Sequence, residues 1–141
     1  MQPLDLTTAP PRGPRESLAG IVFLPRTIDK VRATLPGGDK GAYDIPGIST
    51  MMLEALGIEL DALRAAVADA AGDDGVARFV EMSTSPERIA AWNAMLAARL
   101  PRGGDRNAAY ESYPWLRERP DLPLVLDVLE EDDRRHFAQR R

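Results

Sequence analysis

The sequence contains no cysteine. Disulfide bonds, thiolate nucleophiles, CxxC redox chemistry and cysteine-ligated zinc or iron–sulfur sites are therefore excluded. His136 is the single histidine, so no metal site can use two histidines. A Ser-His-carboxylate triad would need this same residue, and no serine lies in a GxSxG-like turn. The sequence therefore does not indicate a hydrolase with a Ser-His-carboxylate triad. We also predict no cofactor.

The surroundings of His136 resemble half of a metal site. Asp132 and Asp133 precede it by four and three residues, so on a helix one carboxylate would lie beside the imidazole ring. This spacing is common by chance, and EEDDRRHF is more typical of a solvated charged turn. We predict that His136 is not a metal ligand and that the chain holds no metal.

Long apolar runs are also missing. The longest, Ala19 to Leu24, is far below the ~20 residues that a membrane-spanning helix needs. It follows two arginines, as in a secretory signal peptide, but Pro25 and Arg26 end it and no small-residue cleavage site follows. We expect a cytoplasmic protein that does not bind membranes.

A strong excess of positive charge is absent, since the net charge is -4. Residues 1–40 are the most basic part, with six Lys/Arg against four Asp/Glu. General nucleic-acid binding requires a dense cationic surface, so we do not predict it.

The composition is that of an ordinary globular protein. The 141 residues suit one domain, and the 44% hydrophobic residues suffice for one core. Twelve prolines and eleven glycines imply many short elements. We predict an all-α, compact single-domain bundle of about six or seven short helices over residues 1–141, with an extended N-terminal arm at 1–14 and a frayed tail at 138–141.

The helices are predicted from apolar periodicity and from residues that favour helix ends. Pro14 can serve as the first residue of a short helix that runs through Ser17 to about Ile21. Leu24 then starts an apolar repeat that runs to Leu35. Further helices are expected near 50–56, 60–70, 74–80, 86–100 and 108–116, the last of them broken early by Pro114. The run LPLVLDVL at 122–129 fits a strand or a helix, and we favour a helix because a lone strand would have no partner.

Helix ends carry their own signals. Ser49 is predicted to cap the helix over 50–56, and Gly57 is predicted to end it in a left-handed conformation. Asp73 or Asp74 would cap the helix that follows. Ser85 before a proline and an acid is the strongest start signal in the chain.

The candidate functional site is a cluster of charges near the N-terminus. On a helix starting at Leu24, Arg26 and Lys30 lie opposite the apolar face and Asp29 lies beside them. If the arm brings Arg15 close, several guanidinium groups could hold a carboxylate or phosphate. We therefore predict an anion site formed by Arg15, Arg26, Asp29 and Lys30. The alternative is a network of surface ion pairs that contributes little stability.

Two functions follow from this cluster. The first is a small binding or interaction protein that recognises an anionic ligand or an acidic partner surface. The second is a small enzyme that acts on an anionic metabolite in a pocket formed by the same residues, for which Asp29 and Lys30 would have to line a concave site.

The aromatic residues near the C-terminus give a weaker candidate site. Tyr110, Tyr113 and Trp115 are close in sequence and could form an exposed cluster that binds a partner protein. Core or edge packing is the commoner use of such residues.

The N-terminal segment LDLTTAPPRGPRESLAGIVFLPRTIDKVRATL resembles the signature of a bacterial family known as the domain of unknown function numbered five thousand and sixty-nine. Similarity extends through Gly57-Ile58 and Ala91-Trp92-Asn93 to Phe137. Gly13 and Ala19 depart from the family pattern. The resemblance implies a one-domain helical protein of bacterial origin and no particular activity. The matching residues are Pro11, Arg12, Pro14, Arg15, Gly20, Leu24, Pro25, Arg26, Ile28, Asp29, Lys30, Arg32 and Ala33.

Overall fold

The computed structural model describes residues 1–138, and over this range the all-α prediction is confirmed. Seven α-helices lie in the described part of the chain, together with one two-stranded antiparallel sheet and two short 3-10 turns. The strands are β1 (Ser17–Leu18) and β2 (Ile21–Val22), and the 3-10 turns are Pro101–Gly104 and Pro114–Glu118. The helices are α1 (Leu24–Ala33), α2 (Ile48–Leu56), α3 (Leu60–Asp69), α4 (Asp73–Ser83), α5 (Pro86–Ala98), α6 (Arg106–Ser112) and α7 (Val125–Ala138).

The chain divides into two compact units, residues 1–93 and the residues from 94 onward. The organisation into one domain stays a prediction. Of the predicted frayed tail, Ala138 is the last residue of α7, and residues 139–141 lie outside the described part. Within residues 1–138, no helix combines the length and the apolar character that crossing a bilayer requires.

The short helix predicted from Pro14 through Ser17 to about Ile21 is wrong, because residues 17–22 form a β-hairpin. Ser17 pairs with Val22 and Leu18 pairs with Ile21. The two loop residues, Ala19 and Gly20, have φ angles of 54° and 74°. Two successive left-handed residues are typical of the tight turns that match the twist of paired strands. The chain therefore reverses its direction at Ala19 and Gly20, and the segment does not form a helix.

The N-terminal arm is extended, as predicted, and it lies along α1. Leu6 is 1% exposed and belongs to the core. The arm is held by backbone hydrogen bonds from Leu4 N to Arg32 O (3.3 Å), from Leu6 N to Asp39 O (2.8 Å) and from Asp39 N to Leu4 O (3.1 Å). The arm thus covers part of α1 that a helix in isolation would expose.

Helix α1 is confirmed, but its exposed face is not where periodicity placed it. Arg26 and Asp29, predicted to lie away from the apolar face, are 2% and 4% exposed. Eight of its ten residues are buried. The prediction failed because the segments packed on the polar side of α1 come from elsewhere in the chain, and one of them contributes the backbone of Arg12.

Helix α2 begins two residues earlier than predicted, and Ser49 is not its cap. Gly47 is the N-cap, and its N–H donates to the side-chain oxygen of Thr50 (3.1 Å). Ser49 is buried and forms a hydrogen bond with the hydroxyl of Thr27 (2.9 Å). Gly57 ends the helix with φ 73°, which confirms the predicted left-handed end.

The starts of α4 and α5 differ in how well they were predicted. Gly72 is the N-cap of α4, so Asp73 lies in its first turn and not at the cap. Ser85 does cap α5, because its hydroxyl accepts a hydrogen bond from Arg88 N (3.2 Å).

Two side chains of α5 hold the hairpin in place. The indole N–H of Trp92 donates to the carbonyl oxygen of Val22 (2.8 Å). The Asn93 amide donates to Gly20 O (2.7 Å), and its oxygen accepts from Val22 N (3.1 Å). The turn and Val22 of β2 are therefore anchored by one helix.

In the second unit, the predicted break at Pro114 is confirmed, since α6 ends at Ser112 and a 3-10 turn begins at Pro114. The run at 122–129 is helical from Val125, as predicted. A small core forms around Ala109, Leu116 and Val128.

Candidate functional site

Three of the four residues predicted to bind an anion lie on α1. Arg26 and Asp29 are buried and Lys30 is half-buried. Arg15 lies just before the hairpin and is exposed. Arg12, which is not one of these four residues, contacts both buried members of the cluster.

Arg12 connects the arm to two helices. Its backbone N–H donates to Asp29 Oδ2 (2.8 Å), and its Nη2 donates to Asp29 Oδ1 (3.0 Å). The same guanidinium donates from Nη1 to Asp73 Oδ2 (2.5 Å) and from Nη2 to Asp73 Oδ1 (3.1 Å). Arg32 Nη1 lies 3.7 Å from Asp29 Oδ1. These four side chains, which we call the arm clamp, carry two positive and two negative charges.

The arm clamp is partly shielded from water. Partial burial lowers the pKa of Arg12, but hydrogen bonds to Asp73 and Asp29 outweigh it and raise that pKa above its ordinary value. Asp29 uses both carboxylate oxygens on Arg12. Within the clamp, Asp29 therefore positions the arm.

Arg26 lies among aromatic rings. Its guanidinium carbon is 5.9 Å from the centroid of Phe23 and 5.5 Å from that of Tyr43, and Nη1 donates to Arg12 O (3.3 Å). Within about 6 Å, the negative face of an aromatic ring attracts a cation. The aromatic faces and the Arg12 carbonyl together stabilise a guanidinium that is only 2% exposed.

Lys30 shares the Phe23 ring with Arg26. Its ammonium nitrogen is 5.6 Å from the ring centroid. Nearby, a hydrogen bond from Lys40 lowers the pKa of Asp44, and the charge of Lys30 adds to this effect. Phe23, Arg26, Lys30 and Tyr43 form what we call the α1 cation site.

Phe23 itself has an unusual backbone, with φ 81°. A bulky residue rarely adopts a positive φ, and such residues are concentrated at functional sites. Here the left-handed residue joins β2 directly to α1.

Some residues of these two clusters could be found from the sequence and others could not. Arg12 is not part of the predicted anion site. Asp73 was interpreted only as a possible helix cap, and it lies 61 residues from Arg12. Phe23 belongs to the apolar run from Ala19 to Leu24, and Tyr43 is not among the predicted site residues. Two signals point to Arg12: its place among the prolines of the arm and its match to the family signature.

The aromatic residues of the weaker candidate site are half-buried. Tyr110, Tyr113 and Trp115 pack against the core of the second unit. The indole N–H of Trp115 donates to Asp132 (3.1 Å), and Arg135 lies 4.8 Å from the Trp115 ring. A role for them in partner binding stays a prediction.

His136 packs edge-on against Phe137, with ring centroids 4.8 Å apart. Over residues 1–138, no three His, Asp or Glu side chains are grouped so that they could hold a metal ion.

The fold and the clusters define a class: an all-α protein whose N-terminal arm is clamped to a buried helix by an arginine between two aspartates. The family model described as Domain of unknown function (DUF5069) matches residues 8–135, and the chain belongs to this family. The match begins in the arm and includes the arm clamp and the α1 cation site. No curated protein matches the chain.

Proposed function

We propose that this chain is a binding protein whose α1 cation site recognises an anionic group. The observation that carries the proposal is that a guanidinium and an ammonium one helical turn apart both contact the ring of Phe23. Two cations near the same ring create a positive potential that a carboxylate or phosphate would reduce. A planar guanidinium and an ammonium are the two kinds of cation that proteins use to bind carboxylates and phosphates.

The burial of Arg26 favours a small anionic ligand over an acidic protein surface. A flat surface has little access to a side chain that is 2% exposed, so in this proposal a small group enters beside the half-buried Lys30. A bacterial, cytoplasmic setting is part of this proposal, because abundant phosphorylated and carboxylated metabolites occur there.

Binding is favoured over catalysis by the contacts of Asp29. A general base needs an oxygen within reach of the substrate proton. Both oxygens of Asp29 accept hydrogen bonds from Arg12, so in this proposal Asp29 only positions the arm. The enzyme alternative would therefore need a different base.

The test measures binding of inorganic phosphate and of a tetra-aspartate peptide by isothermal titration calorimetry and amide NMR shifts. Lys30→Gln is the main variant, because Arg26 is buried and its replacement would also affect folding. Charge-assisted contacts are each worth about 1.5–3 kcal/mol, so Lys30→Gln should weaken phosphate binding about tenfold or more. Arg26→Lys, which keeps the charge but loses the planar donors, should also weaken it.

Arg78→Gln is the matched control, since Arg78 is an exposed arginine of α4 outside both clusters. Phosphate binding that Lys30→Gln leaves unchanged, or that Arg78→Gln weakens equally, would disprove the proposal. Tighter binding of the peptide than of phosphate would replace the small ligand by an acidic partner surface.

A further inference from the structure

The second unit contains a cavity of about 130 Å³. Most of the residues that line it are apolar, Leu100, Ala109, Leu116 and Leu122 among them. Two polar side chains, Arg106 and Tyr110, also line it. An apolar cavity with a few convergent polar groups is the usual form of a small-molecule site.

The polar side of this cavity is built around Tyr110. Arg106, one turn earlier on α6, donates to the Tyr110 hydroxyl oxygen from Nε (3.2 Å) and Nη2 (3.0 Å). The guanidinium carbons of Arg106 and Arg117 lie 5.5 Å and 4.9 Å from the ring centroid of Tyr110. The two positive charges therefore lie within about 10 Å of each other. This distance is about one Debye length at moderate salt, so both charges contribute to the electrostatic potential around Tyr110.

Neither arginine is neutralised inside the described part of the chain. Within residues 1–138, Arg106 and Arg117 form no ion pair with a carboxylate, unlike Arg12, Arg119, Arg134 and Arg135. The segment 99–119 holds five arginines against three acids. In the described part of the chain, two guanidinium groups without a carboxylate partner thus lie beside the cavity.

The turn that forms one wall of the cavity has a constrained backbone. Arg102 has φ 52°, and Gly103 and Gly104 follow with φ 66° and 94°. Three successive left-handed residues keep the turn folded, and Gly104 itself lines the cavity. Uncommon backbone of this kind at a non-glycine residue is concentrated at ligand sites.

From the cavity, the two arginines and the turn we propose a binding site for a small organic monocarboxylate with a compact apolar body, such as an aromatic or branched aliphatic acid. The apolar body would occupy the cavity, whose volume is close to that of cavities that accept benzene. The carboxylate would accept hydrogen bonds from Arg106, which has donors beyond those used on Tyr110. Arg117 would add a second positive charge. This site is separate from the α1 cation site and does not depend on it.

The test uses the full chain with benzoate as the probe and two partial mimics. Benzamide keeps the shape but lacks the charge, and formate keeps the charge but lacks the apolar body. Binding is measured by calorimetry and by amide shifts of Ala109 and Gly104, which line the cavity. Benzoate should bind at least about tenfold more tightly than either mimic, because each lacks one of the two interactions.

Variants separate the two arginines from a general charge effect. Arg106→Gln and Arg117→Gln should each weaken benzoate binding, Arg106→Gln by about tenfold or more because it removes direct donors. Both side chains are exposed, so both variants should keep the wild-type melting temperature. Arg78→Gln and Lys30→Gln should leave benzoate binding unchanged.

Equal affinity for benzoate and benzamide would overturn the carboxylate specificity. Absence of benzoate binding, or unchanged binding in Arg106→Gln, would overturn the site itself. Loss of phosphate binding in Lys30→Gln, with benzoate binding intact, would show that the α1 cation site and this cavity are distinct.

Discussion

Replacing Arg12 by alanine should destabilise the first unit, because Arg12 joins the arm to Asp29 and Asp73. Removing one partner of a buried ion pair costs about 3–5 kcal/mol. The cost should be lower here, since the Arg12 side chain is 30% exposed and Asp29 keeps the Arg12 backbone N–H and the nearby Arg32. We therefore expect a loss of about 2 kcal/mol in the free energy of unfolding.

The assay is thermal and urea unfolding followed by circular dichroism at neutral pH. For a chain of this size, about 2 kcal/mol should lower Tm by roughly 5–10 °C. Arg12→Lys should fall between wild type and Arg12→Ala, because one ammonium cannot reproduce the planar donors that contact two carboxylates. Arg78→Ala in α4 is the control and should change Tm little, since its side chain is exposed.

A double-mutant cycle isolates the contact itself. Asp73→Ala alone removes one partner of the pair. The double variant, Arg12→Ala with Asp73→Ala, should lose less free energy of unfolding than the two single variants lose together. We expect a coupling of about 0.5–1 kcal/mol, because Asp73 is one-third exposed. If Arg12→Ala costs no more than Arg78→Ala, the arm clamp is not a stabilising contact and the reasoning fails.

Two further predictions concern stability. Trp92→Phe should lower Tm by several degrees, because it leaves the Val22 carbonyl without the indole donor at a cost of about 1–3 kcal/mol; an unchanged melting curve would contradict this. Hydrogen bonding by Arg134 lowers the pKa of Glu131 from 4.5 to about 2, although partial desolvation opposes it. The folded-state pKa is below the unfolded one, so the stabilisation is complete above pH 4.5 and disappears as the pH falls to 2. The Tm difference between wild type and Glu131→Gln should therefore be largest near neutral pH and vanish near pH 2, and a constant difference would refute the assignment.

Elements whose signals are local were predicted well. Helix α5 starts where Ser85 and Pro86 indicate, and α2 ends at Gly57 with the expected left-handed backbone. The hairpin was missed because its turn uses Ala19 at φ 54°, where asparagine or glycine would have signalled the turn. Alanine favours helices, so local propensity indicated the wrong element.

Contacts between distant segments could not be predicted from periodicity. A helical pattern identifies an apolar face, but it does not show what covers the polar face. Arg26 and Asp29 were expected to be accessible, and the arm and Tyr43 cover them. Asp73 contacts Arg12 although 61 residues separate them in the sequence. A single sequence does not show which residues so far apart form a contact.

Two structural requirements conflict at Phe23. Its backbone at φ 81° favours glycine, because a left-handed conformation in a bulky residue costs about 1–3 kcal/mol. Its ring, however, is the surface that both Arg26 and Lys30 contact, and glycine would remove it. Evolutionary drift at this position should therefore be confined to other aromatic residues, and a lineage that acquires glycine there should also lose one of the two cations.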